Sequence, residues 1–113
     1  MKGERTVMTS TVLFLCTGNY YRSRFAEHLF NHLAARKKLG WAAESRGLRV
    51  PGGNIGPISH HTITRLAACQ VQLPKEHRFP LPVCTEDLQR AALVIALKEA
   101  EHRAMVAQNF PAW

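Results

Sequence analysis

Apolar residues follow two different rhythms along this chain. Residues 10–15 (Ser-Thr-Val-Leu-Phe-Leu) rise in β-favouring, apolar character to Cys16, which predicts a buried strand. A polar turn with one glycine follows over residues 17–21. From Arg22 the period becomes helical: Phe25, Leu29 and Leu33 make one row, and Ala26, Phe30 and Ala34 the adjacent one. That helix is expected to run to about Leu39 and to stop at Gly40. Residues 41–45 predict a weaker strand, and residues 46–57 a loop rich in glycine and proline. Ser59 is placed to cap a second helix over about 60–68. Three prolines between 74 and 82 make that stretch irregular, and Thr85 reads as the N-cap of a short helix. Residues 91–97 form a continuous apolar strand, and 99–109 a last helix.

Strands alternating with helices predict an α/β fold, a parallel sheet with helices on both faces. The unbroken run from Leu93 to Leu97 fits a central strand buried on both sides. Open sheets of this kind bind ligands beyond the carboxyl ends of their strands. The first strand ends at Cys16, which makes the following loop the place to look.

Composition narrows the function classes. With 113 residues, 46% hydrophobic and 20% charged, the chain reads as one globular domain spanning 1–113. Its longest early apolar run, from Val12 to Cys16, is far short of a membrane span or a signal sequence, so a cytoplasmic protein without membrane attachment is expected. Fifteen Lys and Arg against eight Asp and Glu leave a charge of +7, which favours anionic ligands. The basic residues are scattered apart from Arg36-Lys37-Lys38 at a helix end, so nucleic acid is not the expected partner. Three cysteines with no short spacing between them form neither a disulfide framework nor a zinc motif, and no metal or cofactor is expected.

The segment Cys16-Thr17-Gly18-Asn19-Tyr20-Tyr21-Arg22-Ser23 carries the chemistry. A strand delivers a thiol to its tip, and loop amides plus a helix N-terminus converge on an anion. The same field favours a nucleophilic thiolate at Cys16. The planar fork of Arg22 suits two oxygens of a phosphoryl group and the charge that spreads over them in the transition state. The Ser23 hydroxyl is within reach of the sulfur, to stabilise it as a leaving group. Gly18 and Asn19 are residue types that tolerate left-handed backbone, which an anion cradle needs. A free cysteine is commonly a small buried hydrophobe. With three Cys, ten Arg and four Ser in the chain, however, a chance Cys-x5-Arg-Ser is expected only about 0.01 times.

The residues from Val12 to Ser23, with Ala26-Glu27, resemble the low-molecular-weight protein tyrosine phosphatases and the arsenate reductases that share their fold. Weaker likeness continues through Ser45-Arg46-Gly47, Gly53-Asn54-Ile55-Gly56, the Thr85–Leu88 segment, the apolar 91–97 strand and His102-Arg103. The resemblance implies a three-layer sandwich around a four-stranded parallel sheet, of flavodoxin-like topology. It implies hydrolysis of phosphate monoesters through a phosphocysteine, without metal. Cys16 would be the nucleophile, Arg22 the phosphate clamp, Ser23 the thiolate stabiliser and Asn19 the organiser of the loop. Thr17, Gly18, Asn19, Tyr20 and Tyr21 would line the oxyanion site, with Asn54 at its rim. The implied partners are phosphorylated protein or small phosphate esters, and inorganic phosphate or sulfate in the loop.

Departures from the family pattern sharpen the expectations. Tyr21 stands where a second cysteine usually protects the nucleophile as a disulfide, so that switch should be absent. Arg24 replaces the usual proline, Gly53 falls where an aromatic rim residue is common, and Ala92 where an aspartate is. Tyr20 could supply an aromatic wall instead. The family's general acid is an aspartate C-terminal to the last helix described here, and the sequence stops at Trp113 before one. Asp87, the only aspartate, lies in another segment. The expectation is therefore a fragment, or a short relative that is phosphorylated but turns over poorly, since general acid catalysis contributes roughly 10²–10⁴-fold.

Other residues carry less. His28 and His32 stand one turn apart on the first helix, with solvated decoration expected over metal binding. His60 and His61 open the second helix as helix-edge decoration, and His77, a candidate brace for the phosphate loop from the irregular segment, is left out of the site. Cys69 and Cys84 are expected as buried filler; a thiol-relay arsenate reductase would need them close in sequence, and they are 15 positions apart. Two rivals to the phosphatase remain: arsenate reduction, and a non-catalytic oxyanion-binding module.

Overall fold

The computed structural model describes residues 10–50 and 56–97. Strand β1 (Ser10–Cys16) leads into helix α1 (Arg22–Arg36), strand β2 (Trp41–Gly47), helix α2 (His60–Ala68), helix α3 (Thr85–Arg90) and strand β3 (Leu93–Ala96). The three strands are parallel in the order β2-β1-β3, so the first strand is the middle one. The described residues hold three of the four strands that the resemblance implies; the helix expected over 99–109 and Asn54 fall outside them.

The middle position explains the uninterrupted run in β1. Val12, Leu13 and Leu15 have no exposed surface at all, each worth roughly 1.5–3 kcal/mol of burial. Their alternation serves two faces. Leu13 and Leu15 pack with Leu48 and with Leu88 of α3, while Val12 and Phe14 pack with Ala43 and with Ala26 and Phe30 of α1. Phe14 and Phe30 meet edge to face at 6.0 Å. Of the two helical rows, the one through Ala26, Phe30 and Ala34 therefore faces the sheet, and Leu33 on the other row is 43% exposed.

Helix α1 ends sooner than Gly40 suggests. Lys38 takes left-handed backbone at φ 54°, and Leu39 N–H donates back to Ala34 O at 2.9 Å. That closing bond stops the helix without a glycine. Asn31 then pins α1 to the free edge of β2, accepting from Ala43 N–H at 2.7 Å and donating to Ala43 O at 3.1 Å. Ser59 does cap α2, its hydroxyl accepting from His61 N–H. In α3 the cap is Cys84 rather than Thr85, with Asp87 accepting from Cys84 N–H at 3.0 Å.

Strand β3 departs from the expectation of a doubly buried centre. It pairs with β1 from Val12↔Leu93 to Leu15↔Ala96, yet Leu93, Val94 and Ile95 are 49, 39 and 36% exposed. Among the described residues β3 is an edge strand. The two further cysteines are likewise exposed, Cys69 at the end of α2 and Cys84 at the head of α3, not buried filler. No helix among the described residues is long and apolar enough to cross a membrane.

Candidate active site

The parallel register of β1 and β2 runs on past the strands into the loop. Cys16 pairs with Gly47, and then Leu48 N–H donates to Cys16 O at 2.9 Å and Arg49 N–H to Thr17 O at 2.8 Å. The next carbonyls are anchored as well. Asn19 O accepts from Arg24, Tyr20 O from Ser59 N–H, and Tyr21 O from Phe25 N–H and the Thr62 hydroxyl. In a trans peptide the N–H points opposite to the C=O. Tying down these carbonyls thus turns the amides of Tyr20, Tyr21 and Arg22 away from the anchors, the arrangement of an anion-binding nest. Asn19 makes the bend at φ 51°. Gly47 allows the close pass: a Cβ there would lie 2.6 Å from Val50 Cγ2 and 2.9 Å from Thr17 O.

Cys16 is 2% exposed, and its sulfur lies 2.9 Å from Ser23 Oγ and 3.2 Å from Asn19 N. Ser23 Oγ accepts from Asn19 Nδ2 at 2.8 Å, which leaves its own proton free to donate to a thiolate. The Asn19 amide is fully used. It donates also to Ser45 Oγ at 2.9 Å, and its Oδ1 accepts from Arg78 Nη1 at 2.9 Å and Leu81 N–H at 3.0 Å. Ser45 donates in turn to Glu27, which forms an ion pair with Arg78 at 3.2 Å. At the head of α1, Arg22 Nη1 is buried without a hydrogen-bond partner among the described residues. A buried guanidinium nitrogen with no acceptor is costly, and a phosphoryl oxygen is the acceptor that suits it.

Two further arginines lie behind the loop. Burial, then the neighbouring Arg78, push the Arg24 guanidinium down to about 10, with Glu27 and Cys16 pulling the other way; it is charged at neutral pH. Burial likewise lowers Arg78 against the pull of Glu27. His28 is lowered too, by burial first, with Glu27 opposing and Arg24, His77 and Arg78 reinforcing the fall.

Of the residues singled out by sequence, Cys16, Asn19 and Ser23 converge directly, Arg22 follows at the head of α1, and Thr17, Gly18 and Tyr20 complete the loop. Tyr21 is 38% exposed and its ring tilts against His61 at 6.2 Å. His77, left out of the site by the sequence reading, also stands apart from the loop in the structure. Its ring sits 6.3 Å from that of His28, and the neighbouring Arg78 makes the bond to Asn19. Asp87 is spent on structure, held by Cys84, Arg46 and Arg90. Sequence reasoning missed Arg24, Glu27, Ser45, Gly47 and Arg78. The signal available was a first helical turn carrying Arg22 and Arg24 and no acid, against the helix dipole. A cavity of about 310 Å³ lined by Tyr21, Phe25, Ala26, Arg65 and Leu97 opens on the flank of Arg22. No cluster of three or more metal-ligating side chains occurs among the described residues.

Comparison with known proteins agrees with this geometry. The protein-arginine-phosphatase of Bacillus subtilis is 31% identical over 100 residues, covering 88% of this chain and 62% of that protein. A low molecular weight protein tyrosine phosphatase from T. tengcongensis superposes with a TM-score of 0.75 at 32% identity, covering 88% of this chain and 66% of that one. The YwlE arginine phosphatase, in a mutant whose active-site serine is phosphorylated, superposes at 0.77 with 28% identity, covering 91% and 64%. The chain thus spans a little under two thirds of the length of these relatives. The family description that matches residues 11–112 is low molecular weight phosphotyrosine protein phosphatase, and with the Cys16–Ser23 cradle in place the chain belongs to that family.

Proposed function

We propose that this chain hydrolyses phosphate monoesters of protein-tyrosine type through a phosphocysteine on Cys16. The observation that carries the proposal is the sulfur held by the Ser23 hydroxyl and the Asn19 N–H beneath a loop with outward-anchored carbonyls; Arg22 Nη1, at the head of the following helix and without a partner among the described residues, supports it. Cys16 Sγ attacks phosphorus in line, forming an S–P bond as the P–O bond to the leaving group breaks. Arg22 and the loop amides hold the three equatorial oxygens. Water then attacks phosphorus, the S–P bond breaks, and Ser23 and Asn19 stabilise the departing thiolate. The leaving oxygen takes a proton from an acid, a role for which Asp87, bound to Arg46 and Arg90, is unsuited.

Phosphoarginine is the competing substrate, because two of the relatives above are arginine phosphatases. Arsenate reduction is not favoured: these relatives are phosphatases, and Cys69 and Cys84 are both free thiols at separate helix ends. Rapid mixing with p-nitrophenyl phosphate tests the mechanism, since that leaving group needs little protonation. The expected result is a burst approaching one equivalent, absent in Cys16→Ser, which still binds phosphate. A Cys16→Ser variant that hydrolyses the ester at the parent rate refutes the phosphocysteine. Phosphate binding without a burst in the parent means an oxyanion-binding module, and faster release from phosphoarginine than from phosphotyrosine moves the substrate class.

A further inference from the structure

Arg24 has no part in the chemistry above, yet it is the largest fully buried side chain among the described residues, at 1% exposure. A buried cation in the first turn of a helix is unfavourable twice over, through desolvation and through the helix dipole. Its compensation is specific. The guanidinium donates to Pro57 O at 3.1 Å and Arg78 O at 2.8 Å, with a longer contact to Asn19 O at 3.4 Å. These carbonyls belong to three separate segments: the phosphate loop, the turn before α2 and the irregular stretch before α3. A planar fork spreads its donors widely enough to reach all three, while Arg24 Nε has no partner among the described residues.

We propose that Arg24 is the positioning residue of the phosphate loop, the tie that holds its anion-binding amides in register with the Arg78–Asn19 brace. Holding the Asn19 carbonyl fixes the plane of the 19–20 peptide and so the direction of the Tyr20 N–H, the peptide being trans. Holding the Arg78 carbonyl places the same residue whose guanidinium grips Asn19 Oδ1 and Glu27. The tie thus reaches the loop from two sides. Two arginines against one glutamate also leave a net positive charge beneath the oxyanion site. The inference rests on the phosphatase reading for its kinetic test, and on anion binding alone for a second one.

Arg24→Met keeps the length and removes the donors and the charge; Arg24→Lys keeps the charge and loses the fork. In the p-nitrophenyl phosphate burst, Arg24→Met should slow the phosphorylation rate constant on the order of 10- to 100-fold, with Arg24→Lys in between. Inhibition by inorganic phosphate should weaken by a similar factor. A purely structural role would lower melting temperature and burst amplitude while leaving the rate constant and the phosphate affinity of the remaining sites unchanged, and that outcome overturns the proposal. Should Arg24→Met fail to fold, Arg24→Lys carries the test, with a threefold loss of phosphate affinity or more expected and parent-like affinity refuting it. A parent chain with no burst at all refutes the catalytic reading, and phosphate titration of the parent against the two variants then decides on Arg24 by itself.

Discussion

The loop after β1 and strand β3 beside it differ in how completely the chain's own atoms satisfy them. Around the loop, every donor and acceptor of the Asn19 amide is matched, and Ser23, Ser45 and Thr62 are buried with partners. Along β3, three large apolar side chains face solvent, and a groove of about 260 Å³ lined by Val12, Phe30, Leu39, Trp41, Leu93 and Ile95 lies open. Among the described residues, polar organisation is thus concentrated at the site, and apolar surface remains uncovered away from it. The contrast teaches that the cradle is built from directional bonds that no other part of a molecule need supply, whereas this flank depends on non-directional contact. Loss of one hydrogen-bonding group at the loop should accordingly cost much more than a charge placed on the flank.

The strongest break is Asn19→Ala. It removes two donors and two acceptors and leaves Ser23, Ser45, Arg78 and Leu81 N–H short of partners, while forcing alanine into left-handed backbone. A loss of about 3 kcal/mol is expected in urea denaturation, together with a slower burst. Gly47→Ala comes next. Its Cβ meets Thr17 O, which is backbone and cannot swing aside, so about 1–3 kcal/mol should be lost and phosphate should bind more weakly in a titration.

A gentler probe of the polar side is pH. His28 is held neutral in the fold below its ordinary value, so between that lowered value and about 6.5 the unfolded chain binds more protons than the folded one. Its contribution is therefore complete above about pH 6.5 and declines as the pH falls through that window. Melting temperatures followed from pH 8 to 5 should fall more steeply for the parent than for His28→Gln. Ile95→Lys tests the other side of the comparison and should change stability by no more than about 0.5 kcal/mol, while raising solubility. A loss several times larger in the same denaturation would show that this strand is covered in solution.

What the sequence revealed divides along the same line. Cys16, Asn19, Arg22 and Ser23 fall within eight consecutive positions on a strand–turn–helix, so periodicity, residue type and the family resemblance single them out without tertiary information. The α2 boundaries were also legible, because a capping serine and a 3.6-residue period coincide. Ser45 and Arg78 were not, because they reach Asn19 from 26 and 59 positions away and only the crossover from β1 to β2 and the turn around α2 bring them there. His77 and Arg78 were separable only by which side chain the backbone aims inward. Strand β3 misled for a different reason: an apolar run predicts burial, but whether both its faces are covered is a property of neighbours and not of the run itself.

The double hold on Asn19 Oδ1 by Arg78 and Leu81 has a consequence for the order of synthesis. Cys16 leaves the ribosome ahead of the atoms that lock its loop, which are made some sixty residues later. At roughly 5–20 residues per second, Cys16 spends several seconds as an ordinary accessible thiol before its cradle exists. A nascent chain stalled before residue 78 should thus have an alkylatable cysteine and no phosphate affinity, and one stalled beyond the fold should have gained both protection and binding in a single step.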